Sequence, residues 1–212
     1  MRRHLKILSL LIVFMLCIAP AASASALEVI DLTEKERAAA NLFLSNITEV
    51  GVRSLDTYGM DIDLVDFAHD HLWFNDHDSF EYGEYGTDNN CRVSDKRIQE
   101  VVDKYFYDPR SVDLSQTRFD YIGGYYYHCE TGGWTPCGFA HAVSACRIEE
   151  NTYFVSFLIF AGGNYWDNSV MDDSLEEIES LFDAPTGFGS ALIYAEDLAD
   201  RSTYKMISYS SL

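Results

Sequence analysis

The feature that most constrains this chain is a change of hydrophobic period at Pro109. Before it, apolar residues recur at spacings of three and four, the pattern of helices with one buried stripe. Thr33-x-x-Glu36 is a capping box, because hydroxyl and carboxylate each take an amide that a first helical turn leaves unbonded. Ala39, Leu42, Phe43 and Ile47 follow on one face, and Gly51 closes the pattern. A second helix is expected from Asp61 or Asp63, with Leu64, Phe67, Ala68, His71 and Leu72 on its buried face and Asn75 continuing it. Residues 81–90 have no period and read as a surface loop. A third helix begins after Ser94, whose hydroxyl caps it; Ile98, Val101, Val102, Tyr105 and Phe106 form its stripe, and Asp108-Pro109 stops it.

After Pro109 the chain reads as strands. Residues 119–129 are aromatic-rich, and residues 138–148 and 153–160 are separated only by Glu149-Glu150-Asn151-Thr152, which predicts a tight antiparallel hairpin. Residues 173–182 suit a short acidic helix with Leu175, Ile178 and Phe182 inward, and residues 188–195 and 203–209 suit two last strands. Helices first and antiparallel strands after give an α+β fold: three N-terminal helices packed on one curved antiparallel sheet of four to five strands. No repeat or linker divides residues 27–212, which are expected to form a single domain.

Arg2, Arg3 and Lys6 precede a twelve-residue apolar run from position 7 to 18, and Pro20 leads into Ala21-Ala22-Ser23-Ala24-Ser25-Ala26. This order describes a secretory signal peptide over 1–26, cleaved after Ala26, and therefore a secreted, extracellular protein with no membrane attachment after cleavage. The 212 residues carry 15 Lys+Arg against 34 Asp+Glu, a net charge of −19. Loss of three basic leader residues leaves 12 against 34, a net −22. Such acidity repels nucleic acid and anionic membranes, and a 14% aromatic content with only 4 Pro excludes a disordered or fibrous chain. The partner is instead an extracellular small molecule, sugar, peptide or protein.

Four cysteines remain after cleavage: Cys91, Cys129, Cys137 and Cys146. In an exported chain an even number suggests two disulfides. Cys129 and Cys137 flank Gly132-Gly133-Trp134-Thr135-Pro136, so a hairpin there would pair 129 with 137 and leave 91 with 146. A zinc site from Cys129, Cys137, His141 and Cys146 lacks paired C-x2-C spacing, and Cys137 with His141 is a poor nucleophile–base spacing in a strand.

Three groups of residues carry candidate chemistry. His71 points inward with Asn75 one turn away, which suits either a general base or a neutral core histidine with satisfied nitrogens. The run Asp66, His69, Asp70, Asp76, His77, Asp78 reads as solvated acidic turns, with a weak calcium site between 76 and 90 as the alternative; neither H-E-x-x-H nor an EF-hand loop occurs. Tyr125, Tyr126 and Tyr127 place aromatics on both faces of one strand, and Tyr125 and Tyr127 with Trp134 and Tyr121 could line a groove. No nucleotide, dinucleotide or nucleophile-elbow motif is present, and no metal or cofactor is expected.

In order, Asn41-Leu42-Phe43-Leu44-Ser45-Asn46, Phe67-Ala68-x-x-His71-x-x-x-Asn75, Tyr105-Phe106, Asn151-Thr152-Tyr153-x-Val155-x-Phe157 and Thr203-Tyr204-Lys205-Met206-Ile207-x-Tyr209 resemble a family of uncharacterised secreted proteins of Gram-positive, Clostridia-like bacteria. The resemblance implies export and a helix-plus-curved-sheet fold like that of cystatins or nuclear transport factor 2, and it brings no activity. The expectation is a non-enzymatic binding or interaction module with its site at His71, Asn75, Tyr125, Tyr127 and Trp134. The alternative is a hydrolase-like enzyme using His71 with Asp66 or Asp70.

Overall fold

A three-residue strand, β1 (Glu28–Ile30), leads into the Thr33 capping box, and both of its bonds form: the Thr33 hydroxyl accepts from the Glu36 amide, and the Glu36 carboxylate accepts from the Thr33 amide at 2.8 Å. The computed structural model describes residues 27–86, 89–129, 138–161, 168–182 and 184–212. The expected leader, Trp134 and Cys137 lie outside the described residues.

Helix α1 (Glu34–Thr48) is followed by β2 (Ser54–Asp56), α2 (Asp61–Asn75) and a 3-10 turn at His77–Ser79. Strands β3 (Glu81–Tyr82) and β4 (Cys91–Ser94) precede α3 (Asp95–Tyr105), which Ser94 caps as expected by accepting from the Arg97 amide. Next come β5 (Asp120–Ile122), β6 (Tyr125–His128), β7 (Phe139–Glu149) and β8 (Thr152–Phe160). Helix α4 (Leu175–Leu181), β9 (Gly187–Tyr194), a 3-10 turn at Arg201–Thr203 and β10 (Lys205–Ser211) complete the order.

The fold is α+β, but the strands form two antiparallel sheets among the described residues rather than one. The larger has the order β1-β7-β8-β9-β10-β2 and the smaller β3-β4-β6-β5. Residues 81–90, expected as loop, contain β3 and the start of a hairpin to β4. Residues 119–129 are not one strand: Gly123 and Gly124 take φ of +60° and +82°, the left-handed pair that closes a two-residue hairpin between β5 and β6. The β7–β8 hairpin forms where expected, with Asn151 at φ +59°.

Helix α1 is tied to the larger sheet by polar groups as well as apolar ones. Strand β1 pairs with β7 only from Ala145 to Arg147. Nearer the start of β7, α1 side chains take up the open edge: the Ala142 amide donates to Asn41 Oδ1 at 2.7 Å, and the Ala140 amide donates to Ser45 Oγ at 2.9 Å. Asn41 Nδ2 donates to the Met171 carbonyl at 3.0 Å and lies 3.3 Å from His141 Nδ1. Asn41 and Ser45 are one turn apart, so one helix face reaches alternate amides of one strand.

Helix α2 lies between α3 and the smaller sheet. Phe67 meets Tyr105 and Phe106 edge-on at 5.6 and 5.5 Å, while Tyr126 of β6 is fully buried and donates its hydroxyl proton to the Leu114 carbonyl at 2.6 Å. A second, smaller apolar cluster joins Phe139, Phe160, Met171 and Ile178 under α4. The expected Cys91–Cys146 bond is absent, because Cys91 belongs to the smaller sheet and Cys146, a buried free thiol, to the larger. The expected partner of Cys129 is outside the described residues.

Asn41→Leu removes the acceptor of a buried amide and the donor to a buried carbonyl while keeping volume. We expect a loss of about 3 kcal/mol in denaturant unfolding, since each orphaned buried group costs roughly 1–3 kcal/mol; a loss under about 1 kcal/mol would show that the edge finds other partners.

Candidate functional site

His71 is buried at 6% exposure, and its neighbours determine its tautomer. Asn75 Nδ2 lies 3.2 Å from His71 Nδ1; an amide nitrogen only donates, so Nδ1 accepts and Nε2 carries the proton. A further hydrogen bond ties the ring to the Asn46 backbone. Burial, reinforced by the nearby Lys104 cation, lowers the His71 pKa to about 4. Asn75 also donates to Glu49, a buried carboxyl whose pKa burial raises. The Tyr105 ring packs edge-on to His71 at 4.5 Å, and its hydroxyl accepts from Asn46 Nδ2 at 2.9 Å. The expected pair His71 and Asn75 is therefore real, and it is internally satisfied. Neither expected carboxylate faces it: Asp66 accepts from the Thr117 hydroxyl and the Arg118 amide, and Asp70 from Arg118.

Outside Tyr105 a cleft of about 260 Å³ opens between α3 and the turn before β10. Phe43, Tyr105 and Tyr204 form its apolar wall, and Lys104, Asp200, Arg201 and Ser202 complete the lining.

On the opposite side of α2 lies a cluster that the sequence pattern did not single out. His69 and Asp70, read as part of a solvated run, are 2% and 4% exposed. A file of groups runs from Arg118 to Cys91. Arg118 Nη2 donates to Asp70 at 2.6 Å, and His69 Nδ1 sits 3.5 Å from the same carboxylate. His69 Nε2 is 3.2 Å from His128 Nδ1, and His128 Nε2 is 3.1 Å from Cys91 Sγ. A carboxylate only accepts, so His69 donates from Nδ1 and His128 donates to His69, while the single Cys91 thiol proton faces both His128 Nε2 and the His128 carbonyl, 3.4 Å from the sulfur. Cys91 itself is 0% exposed, so no substrate reaches the sulfur in this arrangement. The His69 ring stacks on Phe119 at 3.6 Å, and burial lowers the pKa of His69 and brings that of His128 to about 4, with each imidazole adjoining the other.

Tyr125 and Tyr127 point away from both histidine clusters. They alternate with buried Tyr126 and so share the outer face of the smaller sheet with Arg92, which pairs with Tyr127 across β4 and β6. The Arg92 guanidinium lies 4.0 Å above the Tyr125 ring and 4.7 Å above that of Tyr85, and Glu81 accepts from it at 2.6 and 2.9 Å. Ile122 adjoins Tyr125 on β5 and is 67% exposed. The five expected site residues thus divide: His71 with Asn75 inside, Tyr125 with Tyr127 on the outer face, and Trp134 beyond the described residues. In the 76–90 stretch, Asp76 accepts from Ser79 and Arg97, and among the described residues no three His, Cys, Asp or Glu side chains are grouped to hold a metal ion.

Compared with protein-family models, curated proteins and solved structures, the chain matches none.

Burial also holds His141 near a pKa of about 4, so at least three histidines are neutral when folded and ordinary when unfolded. The unfolded chain then binds more protons between pH 6.5 and 4, and stability is lost as pH falls through that window. Each such histidine adds a slope of about 1.4 kcal/mol per pH unit. We expect the melting temperature to drop by roughly 20 °C between about pH 7 and pH 4.5, and His141→Gln to flatten the slope by about one proton. A melting temperature that is flat or rising over that range would contradict buried neutral imidazoles.

Proposed function

We propose that this chain is an exported, non-enzymatic binding module that holds saccharides on the outer face of its smaller sheet. The observation that carries this reading is the set of tyrosines Tyr85, Tyr125 and Tyr127, each half-buried, arranged around Arg92 on the outer face of the smaller sheet. Ring faces accept the apolar C–H faces of sugars, while Arg92, Glu81, Asp120 and Asn89 offer donors and acceptors for hydroxyls at the rim. Export follows from the leader-like residues 1–26 and agrees with the resemblance to uncharacterised secreted proteins. As a fold proposal, β1, α1 and the β7–β10 meander make a cystatin-like unit, with β2 through β6 inserted between helix and meander.

The hydrolase reading has less support. His71 has both nitrogens engaged, Asp66 and Asp70 are turned elsewhere, and Cys91 is sealed.

Titration of the full chain with chitohexaose and cellohexaose tests the proposal. At least one should bind and raise the melting temperature, and Tyr125→Ala or Tyr127→Ala should weaken it about tenfold, the equivalent of roughly 1.4 kcal/mol for one lost stacking ring. Binding unchanged in both variants, or no binding by either saccharide, would remove this face as the site.

A further inference from the structure

We infer that the cleft between the end of α3 and the 3-10 turn at Arg201–Thr203 binds a small organic carboxylate with a flat apolar body. The cleft lies apart from the tyrosine face of the smaller sheet, so it stands or falls independently of saccharide binding there.

Two features meet in the cleft. The first is charge. In this acidic chain Arg92, Arg97, Arg110, Arg118 and Arg147 each pair with a carboxylate. Arg201 and Lys104, like Lys35, Arg37, Arg53 and Lys205, have no salt bridge among the described residues, and neither the Arg201 nor the Lys104 side chain has a hydrogen bond there. The nearest acid in sequence, Asp200, is turned back on its own loop, accepting from the Ser202 amide at 2.9 Å and the Ser202 hydroxyl at 2.7 Å. The two cations are close enough that burial and then Arg201 make protonated Lys104 less favourable, and both cations reach His71 behind the wall. Asp200 lines the same cleft and Asp76 acts weakly on Lys104, but neither forms a salt bridge with the two cations, and two like charges held together in this way create a site that an anion stabilises.

The second feature is shape. Phe43 stacks on Tyr105 at 5.7 Å and meets Tyr204 edge-on at 5.3 Å, so the back of the cleft is a wall of aromatic rings rather than open solvent. A volume of about 260 Å³ has room for roughly nine groups of water size at about 30 Å³ each. A bare inorganic anion would satisfy the cations and leave the wall empty. A carboxylate on a ring satisfies both, with Arg201 offering the planar fork that carboxylates fit and Lys104 a second donor.

Benzoate is the direct probe, with benzamide as its uncharged counterpart and inorganic phosphate as an anion without a ring. Calorimetric titration of the full chain should show benzoate binding that weakens about tenfold in Arg201→Gln and severalfold in Lys104→Gln, and that also weakens with added salt. Both residues are exposed, and unchanged melting without ligand will show that the variants fold. Tyr127→Ala should leave benzoate binding intact. Benzamide binding as well as benzoate, phosphate binding as well as benzoate, affinity unchanged in Arg201→Gln, or no heat from benzoate would each overturn the inference.

Discussion

Completion of the β7 edge by side chains of α1 is the constraint on which the larger half of the structure depends. Strand β1 is only three residues long and leaves β7 amides without a strand partner. Asn41 and Ser45 supply the missing acceptors from inside a helix. An apolar helix could lie over the same sheet at several angles and registers, because hydrophobic contact is not directional. Two side chains one turn apart, bonded to alternate amides of one strand, admit one placement. That placement sets Phe43 against Tyr105 and Tyr204, and hence the aromatic wall of the cleft.

Helix α2 is covered on two sides. Its Phe67 and His71 face α1 and α3, and its His69 and Asp70 face the smaller sheet. A helix buried on both sides has few places for charge. Three of its polar residues solve this differently: His71 stays neutral between Asn75 and the Asn46 backbone, His69 stays neutral between Asp70 and His128, and Asp70 keeps a surface arginine as its counter-ion. The Asp70–Arg118 pair is the one whose loss would matter most, since a buried carboxylate without its partner costs several kcal/mol, whereas exposed pairs such as Arg147–Glu28 contribute little.

Sequence pattern revealed the parts of this fold that local chemistry decides. The starts of α1 and α3 were legible because Thr33 and Ser94 bond to amides three residues away. The β7–β8 hairpin was legible because two long apolar runs flank a very short polar link. Strands β1 to β4 were not, since two to four residues carry no measurable period and their pairing is set at a distance: Glu28 meets Arg147 across 119 residues of chain. The second sheet stayed hidden for the same reason, and with it the burial of His69 and Asp70. His71 fell on the apolar stripe and was found; His69, two residues earlier, lies on the opposite face, which in an isolated helix would be wet. The Cys91–Cys146 pairing, reached only as the remainder after 129–137, had no local signal behind it, and the two residues lie in different sheets.

Arginine in this chain serves mainly as a connector. Arg92 joins β4 to β3, Arg97 joins α3 to the end of α2, Arg118 joins the segment before β5 to α2, and Arg147 joins β7 to β1. With acids in more than twofold excess, a cation at random on the surface would find a carboxylate within reach. Lys35, Arg37, Arg53 and Lys205 nonetheless have no salt bridge among the described residues, so what sets Lys104 and Arg201 apart is that two unpaired cations line one cleft. Lys104 and Arg201 come from separate elements, so no local sequence rule places them together; the packing of α3 against β10 does, with the Tyr107 amide donating to the Met206 carbonyl at 2.9 Å. The same packing that closes the core over His71 thus draws two positive charges to the aromatic-walled cleft, where Asp200, the carboxylate that shares the lining, is held by Ser202 rather than by either cation.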